Sequence, residues 1–364
     1  MLETIREFGL ERLAEPHAPR EEAQRRHSAY FLAAAEGRSP RAFGADLPRE
    51  SVDWFVAEQD NLRASFDWFH DQPDPEPELR FAIACGKFWF HYGNWTEARR
   101  RLEAALSRAA EAQADAELRV EATVRASVLS WHLGDYEAGK ALAEEARALH
   151  TQHHLSGYLP GSISLAVSEW KLGNRERAME LFESALSEAR AEGDDITLAI
   201  TLNNIGNSVL ADRDFASARP YIEESAALHR RLGQQRRLAN DLVDLGFIAL
   251  AENRGDAAEP VLRESLSVVR TERSMDGLLW AVEGLAAFSL DRGDAAQAVR
   301  LLAATTRPRA EIGIAPGYFP IGEEIRERTL QAAREQLGEA AFGAAWEEGE
   351  ELSLEEAGEA ASRI

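Results

Sequence analysis

Leu198-Ala199-Ile200-Thr201-Leu202-Asn203-Asn204-Ile205-Gly206-Asn207-Ser208-Val209-Leu210-Ala211-Asp212-Arg213-Asp214-Phe215-Ala216-Ser217-Ala218-Arg219-Pro220-Tyr221-Ile222-Glu223-Glu224-Ser225 reads as two helices around one turn. Leu198, Leu202, Ile205 and Val209 recur at helical spacing before Arg213-Asp214. Ala218, Ile222 and Ser225 recur the same way after it. The turn returns along the chain as Gly93-Asn94, Gly134-Asp135, Gly173-Asn174 and Gly293-Asp294. Arg213-Asp214, and Asn253-Arg254 just before Gly255-Asp256, are its degenerate members. The anchors 93, 134, 173, 213, 253 and 293 are separated by 41, 39, 40, 40 and 40 residues, a period repeated six times.

Other columns share this register. Alanine stands five residues after every anchor, at 98, 138, 178, 218, 258 and 298. Seven before it stands a small residue: Gly86, Ser127, Ala166, Gly206, Gly246, Ala286. Nine after it the residue is mostly bulky (Leu102, Ala143, Phe182, Ile222, Leu262, Leu302), and twelve after it small again (Ala105, Ala146, Ala185, Ser225, Ser265, Thr305). Small residues at fixed places let two helix backbones approach closely. A turn glycine supplies a left-handed C-terminal cap, and the Asp or Asn after it can cap the next helix. A lone hairpin cannot bury its apolar face, so such hairpins stack.

These columns resemble the tetratricopeptide repeat, which departs from this chain only in length, 34 residues against about 40. The resemblance implies an all-α superhelical solenoid of about six helical hairpins over 78–306. A helical segment (1–70) precedes it, and a C-terminal helical cap with an acidic tail (307–364) follows. In the first segment, helices are expected at Leu2 to Phe8 and at Glu21 to Glu36, then a helical pair holding Trp54, Asn61 and Trp68. Asp71-Gln72-Pro73-Asp74-Pro75-Glu76-Pro77 reads as a proline-broken linker, 307–322 as an irregular connection, and Glu323 to Leu337 as helix.

The balance of 41 basic against 63 acidic side chains gives −22, which argues against non-specific binding to nucleic acid or anionic membrane. One cysteine, Cys85, excludes an intramolecular disulfide framework and a cysteine-based zinc finger. The charged N-terminus is no secretory signal and no apolar run reaches about 18 residues, so a cytoplasmic protein is expected.

The ends carry a second resemblance. Met1-Leu2-Glu3-Thr4-Ile5-Arg6-Glu7-Phe8 is similar to the segment closing the winged helix of large bacterial signal-transduction ATPases, many of them LuxR-type or antibiotic-regulatory-type transcription regulators. Residues Glu58 to Trp68 resemble their link into the repeats, and Leu337 to Ala357 the end of their sensor. No Gly-x-x-x-x-Gly-Lys-Ser/Thr phosphate cradle occurs, and an acidic stretch of about 18 residues follows Trp346 where a DNA-binding helix pair would stand. The resemblance therefore implies a sensor half without its ATPase or its DNA reader, with a partner ATPase or DNA-binding protein. A fragment, a truncated product and a stand-alone sensor all remain open, and a stand-alone scaffold bridging two proteins is the alternative.

Asn203, Asn204, Asn207, Asn240 and Asp244 stand in first-helix columns that face the concave groove in resembling proteins. Asn and Asp are poor helix-interior residues, so propensity does not explain the cluster. A merely solvated face is the plain alternative. Lys87 and Arg125 occupy groove-facing columns of earlier repeats and suit an anionic group. The expected ligand is a protein, a peptide or a small effector. His150, His153 and His154 form the densest titratable cluster, read as a polar loop rather than a zinc site. Trp131 and Trp170 share a uniformly apolar column and read as packing between hairpins. No nucleophile elbow or carboxylate dyad occurs, so neither catalysis nor a cofactor is expected.

Overall fold

The periodicity becomes helix nearly everywhere. In the computed structural model, which describes residues 20–40, 46–92, 94–155 and 161–364, all regular structure is α-helical. The helix expected at Leu2 to Phe8 and the anchor Gly93 lie outside the described residues. Eighteen helices are seen among the described ones. The N-terminal segment gives α1 (Arg20–Arg38), α2 (Arg49–Ala57) and α3 (Gln59–His70).

Six hairpins follow. They are α4 (Glu76–Tyr92) with α5 (Trp95–Glu111), α6 (Ala116–His132) with α7 (Tyr136–Gln152), and α8 (Ser162–Lys171) with α9 (Arg175–Glu192). Then come α10 (Asp195–Ala211) with α11 (Phe215–Leu232), α12 (Gln235–Ala251) with α13 (Gly255–Glu272), and α14 (Met275–Asp291) with α15 (Ala295–Ala304). Each hairpin packs on the next. The chain is thus a tetratricopeptide-like solenoid.

The linker at 71–77 is shorter than expected. Helix α4 already starts at Glu76, because Pro77 sits in its first turn, where a missing N–H costs nothing. Likewise the connection 307–322 is only partly irregular. Pro308 lies in the first turn of a short helix, α16 (Thr306–Ile312), and the irregular part is Gly313 to Phe319. Two helices close the chain, α17 (Pro320–Glu350), broken at Gly338 (φ 76°, ψ 163°), and α18 (Leu354–Ala361). No helix among the described residues is long and apolar enough to cross a membrane.

The turn anchors sit in the left-handed region: Gly134 at φ 80°, Gly173 at 93° and Gly293 at 87°. Arg213 (64°) and Asn253 (56°) adopt the same conformation without being glycine, so the register holds even where the motif decays. The capping expectation is met by Asp135, Asp214 and Asp294, whose carboxylates accept from the backbone N–H of Ala138, Ser217 and Gln297.

The small column has a steric reason. A Cβ on Gly206 would lie 2.4 Å from Ile222 Cγ1, and one on Gly246 would lie 2.6 Å from Leu262 Cδ2. In these two hairpins the bulky residue nine after the turn fills the space above the glycine seven before it, whereas a Cβ on Gly86 would stand clear of Leu102 at 3.8 Å. In the second hairpin that pair is Ser127 and Ala143, both small, and Ser127 Oγ instead donates to Gly139 O at 2.6 Å. One apolar core runs the length of the stack, from Phe31 on α1 to Ala361 on α18.

Candidate functional site

The first helices of the hairpins line the concave side, and a cavity of about 710 Å³ opens there. Its lining residues recur at three- and four-residue steps, which is one face of each helix: Glu121, Val124 and Val128 on α6, and Ile200, Asn204, Asn207 and Ala211 on α10. Lys87, Arg125, Asn203, Asn204, Asn207, Asn240 and Asp244 all border this one cavity. Its floor is Tyr318 to Ile321, where the irregular segment after α16 runs into α17. Lys171 Nζ donates to Gly317 O at 3.1 Å, and the Tyr318 ring lies 5.6 Å from Trp95, 5.3 Å from His132 and 6.5 Å from Trp280.

The amide cluster is organised around two carboxyls. Asn207 Nδ2 donates to Asp244 Oδ2 at 2.8 Å, and Asn203 Nδ2 donates both to that oxygen (3.2 Å) and to Asp241 Oδ1 (2.8 Å). Burial pushes the Asp244 carboxyl up to about 8, and the neighbouring Asp241 adds to this against the two amides. Asp241 is fully buried and is also raised, burial outweighing its hydrogen bond from His229. Asn204 Nδ2 donates to Ile200 O at 2.8 Å. The five polar residues are therefore not equivalent. Asn203, Asn204 and Asn207 are committed inside the protein, whereas the Asn240 side chain makes no hydrogen bond among the described residues and stays available to the cavity.

Beneath this network, Ser225, His229 and Asp241 meet, all buried. Both Ser225 Oγ (3.3 Å) and Asp241 Oδ2 (2.7 Å) approach the same His229 nitrogen, Nδ1, while Nε2 has no partner among the described residues. A nucleophilic serine needs the nitrogen that the carboxylate leaves free, so this cluster does not activate Ser225.

Positive charge collects toward the start of α12. Lys87 Nζ donates to Pro40 O at 2.6 Å. Burial, helped by Arg125 and Arg237, pushes its ammonium down to about 8. Burial and the adjacent Arg236 bring Arg237 down to about 10. Arg125 donates to Glu121 at 2.6 Å, and Arg236 lies 3.4 Å from Asp46. Burial also takes His132 down to about 3, and its Nδ1–H donates to Val128 O at 2.8 Å.

Sequence reasoning missed Arg236 and Arg237, although they precede Asn240 by helical steps. It also missed Lys171, His132, Trp280 and Tyr318, and Tyr318 stands outside the repeat register. Trp131 borders the cavity with its ring 3.6 Å from His132, while Trp170 is buried beneath Arg175 at 4.8 Å. His150 borders the cavity, and His153 and His154 are exposed at the end of α7.

The tetratricopeptide repeat family matches residues 198–232, the hairpin α10–α11. No curated protein matches the chain. Among solved structures, a Rap protein complexed with competence and sporulation factor is 14% identical with a TM-score of 0.53, covering 87% of this chain and 99% of that one. The Rap conjugation gene regulator of plasmid pLS20, solved with a peptide, is 13% identical with a TM-score of 0.53, covering 87% and 95%. NprR in complex with its cognate peptide NprX is 15% identical with a TM-score of 0.55, covering 92% and 87%.

These matches correct the resemblance to LuxR-type ATPase regulators. The folds that agree along the chain are Rap and NprR proteins, and the expected partner ATPase or DNA-binding protein rested on that resemblance alone. Packing accounts for the motifs that suggested it. Leu62 and Phe66 of the link motif are core residues, and Phe342 of the end motif packs with Val299 on the last hairpin. The opening motif at Met1 to Phe8 lies outside the described residues. The expectation of no enzyme activity is also corrected. The matches include aspartyl phosphate phosphatase F from Bacillus subtilis (14% identity, TM-score 0.47, covering 86% and 95%). What the comparisons show of this chain is its architecture, an all-α tetratricopeptide-like solenoid similar to Rap and NprR proteins.

Proposed function

We propose that the chain is a receptor for a short peptide, or for a peptide segment of a protein partner, held in the concave cavity. The observation that carries this is the cavity itself. Its volume of about 710 Å³ falls within the range of built ligand sites, and apolar walls surround a few polar groups on α10 and α12. The likeness to structures solved with peptides supports the same reading. The fold match, which spans almost the whole of those proteins, supports a scaffold better than an ATPase regulator's sensor half. One partner would sit in the cavity and a second outside it.

Asn240 tests this, since its loss disturbs no internal hydrogen bond. The best binder from a random hexapeptide library is measured by calorimetry against the protein and against Asn240→Ala. Loss of one amide contact is expected to weaken binding about tenfold with unchanged helicity. Equal affinity in the variant would move the site elsewhere.

A further inference from the structure

Arg237, Asn240 and Asp244 are separated by three and four residues on α12, so they form one stripe, and all three border the cavity. Seven residues of helix span about 10 Å, the reach of about three residues of extended chain. The stripe is polar at both ends: a cation stands at Arg237, and at Asp244 a neutral carboxyl that a bound cation would ionise. At the Arg237 end, Lys87 from α4 and Arg125 from α6 close around the same space, near enough for Lys87 to feel both arginines. Arg125 gives one nitrogen to Glu121, and its buried Nε meets no acceptor among the described residues. In a chain of net charge −22, such a gathering of cations on the inner wall is a local reversal of sign.

At the other end, Asp244 Oδ2 is served by Asn203 and Asn207, while no described residue donates to its Oδ1. Tyr318 lines the cavity there with a face that suits a cationic side chain, beside Trp280, whose own ring already carries the Arg309 guanidinium at 4.7 Å. Of the other lining charges, Glu117 and Glu121 stand on α6, Glu121 paired with Arg125, and three more are engaged. Asp194 caps the first turn of α10, Asp276 accepts from Ser274 Oγ at 2.7 Å, and Lys171 holds the carbonyl of Gly317.

We propose that the groove selects an extended peptide carrying an acidic group about three residues from a lysine or arginine, the acid against Lys87, Arg125 and Arg237 and the base against Asp244. The acid is either a side chain or a C-terminal carboxylate. This rests on the peptide-receptor reading above, and its test separates the two. The protein is used to retain peptides from a random hexapeptide library prepared with free and with amidated C-termini, and retained peptides are sequenced by mass spectrometry.

Wild type is expected to enrich acid–base pairs two to four positions apart at least fivefold. If the acid is the terminal carboxylate, the enrichment is of a lone base and vanishes with amidation. Asp244→Asn, close to isosteric, is expected to lose the preference for lysine or arginine and keep that for the acid. Arg125→Glu is expected to do the reverse, with Arg237→Gln as the second variant should Arg125→Glu lose its helical circular dichroism. Peptides retained without charge preference, or with a preference that neither variant alters, overturn this inference and leave peptide binding intact. No retention of any peptide by the wild type overturns the receptor reading itself.

Discussion

Asp244 keeps its proton near neutral pH because a buried carboxylate loses its hydration, and two amides replace only part of it. The sign of the stability effect follows. Its carboxyl is held at about 8 against 3.8 for the free group, so between those values the folded chain holds a proton that the unfolded chain releases. Its contribution is complete below about pH 4 and is lost as pH rises through 8, at up to about 1.4 kcal/mol per pH unit. His132 acts in the opposite direction. Held at about 3 against 6.5, it contributes fully above 6.5 and loses that contribution as pH falls toward 3. Asp244→Asn is therefore expected to flatten the fall in urea midpoint between pH 6.5 and 8 and leave the acid limb unchanged. An unaltered slope in urea melts at those pH values would show that Asp244 is ionised in the folded chain. Asp244 was visible in the sequence as a polar residue without local reason. Its partner Asp241, one turn earlier on the same helix, gave no signal, because only the packing of α11 and α10 brings Ser225, His229 and Asn203 to it.

Within one hairpin, the separation of the two helices is set by the residue pair seven before and nine after the turn. Gly246 and Leu262 form such a pair, and no space remains for a β-carbon between them. Gly246→Ala gains helix propensity of about 1 kcal/mol but forces overpacking of about 1–3 kcal/mol, so a net loss in thermal stability is expected. Leu262→Ala in the wild-type background opens a cavity of the kind that costs about 2–5 kcal/mol. Combined, the two changes partly fill that cavity. The double variant should therefore lose less than the sum of the single ones, and additive losses in denaturant melts would contradict the pairing. This pairing was fully legible as two sequence columns. What the columns did not show is that Ser127 and Ala143 solve the same problem with a hydrogen bond in place of a bulky side chain.

A solenoid ordinarily has contacts only between neighbouring repeats, and its cooperativity is correspondingly short-ranged. This molecule adds long-range ties. Helix α4 of the first hairpin touches α14 of the sixth, Arg236 reaches Asp46, and Arg273 reaches Asp53 at 2.8 Å. Tyr318 contributes most visibly, its ring meeting Trp95 and Trp131 from the first hairpins and Trp280 from the last. Tyr318 is half-buried, so Tyr318→Ala is expected to cost less than a fully buried aromatic truncation, which costs about 3–5 kcal/mol. It should also lower the urea m-value, because the early and late hairpins would no longer unfold together. A shifted midpoint with an unchanged m-value would mean that the segment fills space without coupling the ends.

The sequence by itself determined the helices, their pairing into six hairpins and which face of each first helix turns inward. All of these follow from local periodicity, turn conformation and the volume available between two helices. It also selected seven residues that end at one cavity, because a fixed column keeps a fixed direction in every repeat. Only the tertiary structure decided that Asn203 and Asn207 serve Asp244 while Asn240 stays open, that cations gather opposite a protonated carboxyl, and that Tyr318 and Phe319 floor the groove. These depend on how successive hairpins rotate and where an irregular segment returns. Such relations are set by the whole superhelix, and no spacing within one repeat records them.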